Sequence, residues 1–167
     1  MSTPAATRFG DLTDAAAARW GDREALVFRD RRYSFKQIAA EVDRVARGLI
    51  RAGVRPGDKA AIWLLNCPEW IFAMFALAKI GAVHVPINTR FRTVDLAQVL
   101  ARANASTLIT HDISGPVDYL AMVRELAELE GGRITSARLP DLERVIVLGE
   151  AAMLSAQITG VTKCLSA

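Results

Sequence analysis

The sequence predicts an α/β fold: a parallel sheet with helices on both faces. Three observations carry that expectation. Short apolar or β-branched runs alternate with helix-length amphipathic stretches along the chain. Some of the short runs are apolar at every position, as a strand covered on both sides requires. Glycine, proline and aspartate punctuate the boundaries between the two kinds of segment. Strands and helices that alternate in this way give right-handed crossovers, but periodicity does not set the strand order.

In chain order, Asp11 to Trp20 is alanine-rich and reads as a short helix. Ala25-Leu26-Val27-Phe28 reads as a strand, Arg29 to Arg32 as a polar turn, and Tyr33 as the start of the return, together a small hairpin. Ser34-Phe35-Lys36-Gln37 is a capping box: Ser34 accepts from the backbone three residues on, and Gln37 reaches back. Tyr33 and Ile38 are spaced for a hydrophobic staple across it. The helix that follows carries Ile38, Val42, Val45, Ala46, Leu49 and Ile50 as one apolar stripe, and Gly53 ends it as a left-handed cap. Pro56-Gly57-Asp58 is a turn, and Ala60 to Leu65 a continuous apolar strand. Asn66-Cys67-Pro68-Glu69 opens the next helix, with proline in its first turn and an acid at its positive end. Lys79 and Gly81 close it, and Ala82 to Pro86 is a further buried strand. Thr93 is placed to cap a helix bearing Leu96, Val99 and Leu100. Ser106 to Thr110 is a strand, and Pro116 to about Glu130 a helix with Leu120, Val123, Leu126 and Leu129, broken by Gly131-Gly132. Pro140-Asp141 turns the chain into a last strand, Arg144 to Leu148.

Composition bounds the function. The 167 residues are 51% hydrophobic and 23% charged, as in a globular domain with a real core rather than a disordered chain. The net charge is only +3, and the run Arg29-Asp30-Arg31-Arg32 is broken by its own acid. A solvated hairpin turn explains that run better than a nucleic-acid footprint. Cys67 and Cys164 each stand alone, which points neither to a disulfide framework nor to a metal cluster but to a reducing cytoplasm. The N-terminus has no apolar signal core. The most apolar stretch, Trp70 to Ile87, is interrupted by Lys79, Gly81, His84 and Pro86, so no transmembrane segment is expected.

Four stretches resemble the N-terminal region of the adenylate-forming, AMP-binding superfamily. They are Tyr33-Ser34-Phe35-Lys36-Gln37-Ile38, then Gly53-Val54-Arg55-Pro56-Gly57-Asp58-Lys59-Ala60-Ala61-Ile62, then Leu65-Asn66-Cys67-Pro68-Glu69-Trp70 leading into Ala76 to Val83, and finally Val85-Pro86-Ile87-Asn88-Thr89-Arg90-Phe91. They stand in the family's order and spacing over about residues 8 to 149. The last stretch is more similar to fatty-acyl and aryl-acid CoA ligases than to amino-acid adenylation domains. The resemblance implies the first lobe of the large N-terminal domain of an acyl-CoA synthetase. The complete enzyme is then expected to use ATP and Mg²⁺ to turn a fatty or related carboxylic acid into an acyl-adenylate, from which the thiol of CoA displaces AMP.

The family's pyrophosphate loop, roughly Ser/Thr-Ser-Gly-Thr-Thr-Gly-x-Pro-Lys-Gly, uses glycines to bring backbone N–H groups against the phosphates. Its nearest echo is Ala156 to Cys164, where only Thr159, Gly160 and Lys163 align. Gln157, Thr162 and Cys164 stand where the first glycine, the proline and the last glycine belong. The expectation is therefore a partial synthetase domain over residues 1–149 and a divergent tail over 150–167, inactive as an isolated chain. No residue is assigned a catalytic, cofactor-binding or metal-binding role. The alternatives are a half-enzyme or interaction module completed by a separately encoded remainder, a small enzyme using the tail as a degenerate loop, and a non-functional gene fragment.

Several residues invite more than they support. His84 in an apolar strand reads as a core histidine with one nitrogen satisfied. His111 and Asp112 follow a strand whose carboxyl end is where ligands gather, yet read by default as a loop histidine beside a helix-capping acid. Arg90, Arg92 and Arg102 read as solvated surface arginines rather than CoA phosphate contacts. Trp63, Trp70, Phe72, Met74 and Phe75 read as core rather than as an acyl pocket, and Cys67 as structural despite its place at a helix start.

Overall fold

The structure is a computed structural model that describes residues 8–130 and 133–148. The expected break at Gly131-Gly132, the tail over 150–167, the Thr159–Lys163 echo and Cys164 lie outside the described residues. A 3₁₀ turn, Phe9–Asp11, leads into helix α1, Leu12–Trp20, and a hairpin of β1, Glu24–Phe28, and β2, Arg31–Ser34. Helix α2, Phe35–Arg51, then precedes the main sheet of β3, Lys59–Trp63, β4, Val83–Pro86, β5, Thr107–His111, and β10, Arg144–Leu148. Helix α3, Pro68–Lys79, joins β3 to β4, and α4, Thr93–Ala103, joins β4 to β5. Between β5 and β10 lie β6, Ile113–Ser114, β7, Val117–Asp118, α5, Tyr119–Arg124, β8, Glu128–Glu130, and β9, Arg133–Thr135.

The sheet is parallel throughout, in the order β10-β5-β3-β4. Alternate residues serve opposite faces. Ala60, Ile62, Ile109 and Ile146 pack beneath α2 and α3 with Val42, Val45, Phe72 and Leu77. Ala61, Trp63, Leu108, Val145 and Val147 pack beneath α4 and α5 with Leu96, Leu100, Leu120 and Val123. From β3 the chain steps outward to β4 and then back across to β5. With one handedness for every crossover, that reversal puts α3 and α4 on opposite faces.

The local chemistry of α2 is as its residues dictate. Ser34 Oγ accepts from Gln37 N at 3.2 Å while Gln37 Oε1 accepts from Ser34 N at 2.8 Å. At its other end Gly53 has φ 90°, with Gly53 N donating to Ile50 O and Val54 N to Leu49 O, a Schellman closure. Gly81, φ 78°, closes α3 in the same way through Ala78 O and Leu77 O.

Six expectations are corrected. The turn of the first hairpin is shorter than Arg29–Arg32, because Arg31 and Arg32 already pair with Phe28 and Val27. The apolar run ends as a strand at Trp63, with Leu64 still buried but Leu65 38% exposed where the chain leaves the sheet. The strand Val83–Pro86 is an edge, half open to solvent, and there proline's missing N–H costs nothing. Thr93 does not cap α4: its hydroxyl donates to Glu125, and Asp95 reaches back to Arg92 N instead. Ile50, on the apolar stripe of α2, is 57% exposed, beside an open groove that it lines with Val54 and Ile80. The helix expected over Pro116–Glu130 is only α5, six residues long. Asp118 Oδ1 accepts from Ala121 N to start it, and Glu128–Glu130 turns into an antiparallel pair with Arg133–Thr135.

Candidate functional site

In a doubly wound sheet the cleft for a ligand opens where neighbouring strands send their connections to opposite faces, at the carboxyl ends. Here that point lies between β3, which leads to α3, and β5, which leads across the other face to α5. The residues leaving these two strand ends are Leu64 to Glu69 and His111-Asp112.

The structure brings several groups to this cleft. His111 is the last residue of β5 rather than a loop residue. It is half-buried, its ring 6.3 Å from that of Tyr119, which packs edge-on against Trp63 at 4.6 Å. Burial depresses the His111 pKa below its ordinary value, against the opposing pull of a hydrogen bond to Leu148 O and the charges of Asp112 and Glu69. Asp112 is 8% exposed and committed to structure: Oδ1 accepts from Ile113 N at 2.7 Å, and its carbonyl accepts from Tyr119 N and Leu120 N. The acid that caps the helix is Asp118, not Asp112.

On the α3 side, Glu69 receives Arg31 from the hairpin at 2.9 Å. Burial pushes the Glu69 carboxyl up, but hydrogen bonds from Arg31 and its own backbone, with the Arg31 charge, outweigh this and hold it below the usual range. Cys67 sits at the N-cap of α3, yet burial pushes its thiol up to about 11, so it stays protonated at neutral pH. The pair of Arg31 and Glu69 was missed by sequence reading: Arg31 looked like part of a solvated turn and Glu69 like a helix-dipole acid, and no local spacing links residues this far apart.

The remaining candidates are not brought together here. Arg92 folds back and donates to the carbonyls of Thr89, Arg90 and Phe91, while Arg90 and Arg102 are exposed. Trp63 is fully buried, with Nε1 donating to Asn88 O, and Phe72 is core, while Trp70, Met74 and Phe75 are half-buried against it. His84 is half-buried on the edge strand beside Trp70, and its Nε2 is buried without a partner. No group of three or more His, Cys, Asp or Glu among the described residues could hold a metal ion. No helix among them is long and apolar enough to cross a membrane.

Several polar groups at this cleft are already engaged within the chain. Glu69 is engaged by Arg31, the Thr110 hydroxyl turns to Trp63 O, and the amides of Asp112, Tyr119 and Leu120 are already bonded within the chain. Comparison with known proteins places the chain. Residues 13–160 match the model of the AMP-binding enzyme family. The chain belongs to that family. Among curated members, YngI of Bacillus subtilis, named as an acyl-CoA synthetase, is 37% identical over 146 residues, 84% of this chain. The crotonobetaine/carnitine–CoA ligase of Salmonella typhi is 34% identical over 72% of the chain. The chain spans 27% of the length of each of these relatives. Among solved members of the family, an anthranilate–CoA ligase bound to anthranoyl-AMP superposes with a TM-score of 0.71 at 26% identity, covering 90% of this chain and 27% of that one. The N-terminal domain of FACL13 from Mycobacterium tuberculosis gives 0.72 at 25% identity, over 91% and 36%.

Proposed function

We propose that this chain is the front lobe of an acyl-CoA synthetase and forms one wall of the cleft in which the whole-length enzyme activates a carboxylic acid. The observation that carries the reading is the family match laid over a parallel sheet whose switch point opens between β3 and β5. For the whole-length protein the reaction is ATP-dependent formation of an acyl-adenylate, with Mg²⁺, followed by transfer to CoA. The acid belongs to the broad class of fatty and related carboxylates.

Residues 1–149 are the partial synthetase domain and 150–167 a divergent tail. This chain alone is inactive, because phosphate oxygens need a ring of unengaged amide donors and hydroxyls, and the amides of Asp112, Tyr119 and Leu120 at the described cleft are spent on the fold. Purified chain incubated with ATP, Mg²⁺, CoA and a panel of long-chain, aryl and carnitine-type acids is expected to release pyrophosphate at the no-protein rate. Release above that rate, lost on Lys163→Ala, would show instead a small enzyme that uses its tail as a phosphate loop.

A further inference from the structure

At the opposite end of the sheet, beneath the amino ends of β3 and β4, the carboxyl ends of α2 and α3 frame a groove of about 660 Å³. Its apolar lining is Ala46, Ile50, Val54, Pro56 and Ile80, and its charged lining is Arg47, Arg55 and the paired Lys79 and Asp43. Ile50 belongs by spacing to the apolar stripe of α2, yet it is 57% exposed beside this groove. Arg51 lies one turn beyond Arg47. Among the described residues the guanidinium groups of Arg47, Arg51 and Arg55 enter no ion pair, whereas the other cation of the groove, Lys79, is held by Asp14 and Asp43.

We propose that this groove is a docking site for an acidic amphipathic peptide segment of a partner protein, which inserts one apolar side chain beside Ile50 and sets carboxylates against Arg47 and Arg55. Charge complementarity selects this occupant. Unpaired arginines around an apolar depression suit a segment that carries carboxylates around an apolar anchor, with bidentate Arg–carboxylate bonds fixing its register. A second copy of the chain packed isologously would bring two sets of unpaired arginines into one interface. A flat anionic surface would not reach the floor of a concave site. The groove lies at the end of the sheet away from the β3/β5 cleft, so this partner binds without entering the site proposed for chemistry.

The test uses the full chain and a fluorescent synthetic helix with leucines on one face and glutamates flanking them, read by anisotropy at low salt. The same helix with lysine for glutamate is the control. Binding of the acidic helix is expected, weakened about tenfold or more by Arg47→Glu with Arg55→Glu, weakened also by Ile50→Gln, and reduced by salt. The melting temperature of Ile50→Gln is expected to match that of the parent, since Ile50 is exposed. Equal binding of the lysine helix, or affinity unmoved by these substitutions, overturns the proposal. A marked drop in melting temperature for Ile50→Gln shows that the chain's own residues cover the groove. Self-association of the parent, lost in Ile50→Gln, shows that a second copy does.

Discussion

Cys67 occupies a helix N-cap, a position whose dipole ordinarily lowers a thiol pKa. Burial dominates here and pushes it to about 11. Alkylation at about pH 8, read on the Cys67 peptide by mass spectrometry, is expected to be at least about tenfold slower in the folded chain than in denaturant; equal rates would contradict the burial. The two histidines of the chain make a second prediction at this scale. Burial lowers both His84 and His111 from the ordinary 6.5. The unfolded chain then binds the proton more readily than the fold does. The stability from these groups is intact above 6.5 and lost as pH falls from there through their folded values. Imidazole resonances followed through a pH titration should both have midpoints below 6.5, and a midpoint at or above that value for either residue would refute the shift.

Helix ends decide much at the next scale. Gly81 closes α3 at φ 78°, and a methyl there would stand 3.4 Å from Pro56 Cβ. Gly81→Ala is expected to cost about 1–2 kcal/mol by urea unfolding, chiefly from the left-handed backbone. Ser34→Ala removes the acceptor for Gln37 N at the start of α2 and is expected to cost about 1 kcal/mol. The segment after β5 shows where element-level reading fails. Leu120, Val123 and Leu126 have helical spacing and are all buried. The helix nevertheless stops at Arg124: Leu126 N donates to Val123 O, only three residues back, and the chain then turns into β8. Apolar spacing records which residues face the core, and a short helix followed by a buried turn satisfies the same pattern.

The whole molecule rests on two apolar layers divided by the sheet. Leu108, on β5, has no solvent exposure and serves the layer beneath α4 and α5. Leu108→Ala should therefore destabilise the chain by about 2–5 kcal/mol in denaturant titration, and a cost under about 1 kcal/mol would show that this layer collapses around the cavity. Arg144 ties the sheet to the turn before β3, reaching Asp58 at 3.5 Å and Thr107 Oγ1 at 3.3 Å. Strands distant in sequence are thus locked by side chains as well as by their ladder.

Much of this architecture is determined by sequence alone. Ser34 and Gln37 mark the start of α2, Gly53 and Gly81 end two helices, Arg144 to Leu148 is a strand, and the family is carried by four short stretches in register, because caps, turns and periodicity are local properties of the chain. Tertiary structure alone decided what depends on neighbours. It set the order β10-β5-β3-β4 and so the position of the switch cleft, left β4 as an edge and Ile50 in the open, paired Arg31 with Glu69, and stranded His84 Nε2. Burial and ion pairing are made by residues far apart in the chain, and no local pattern of side chains encodes which distant surface will cover them.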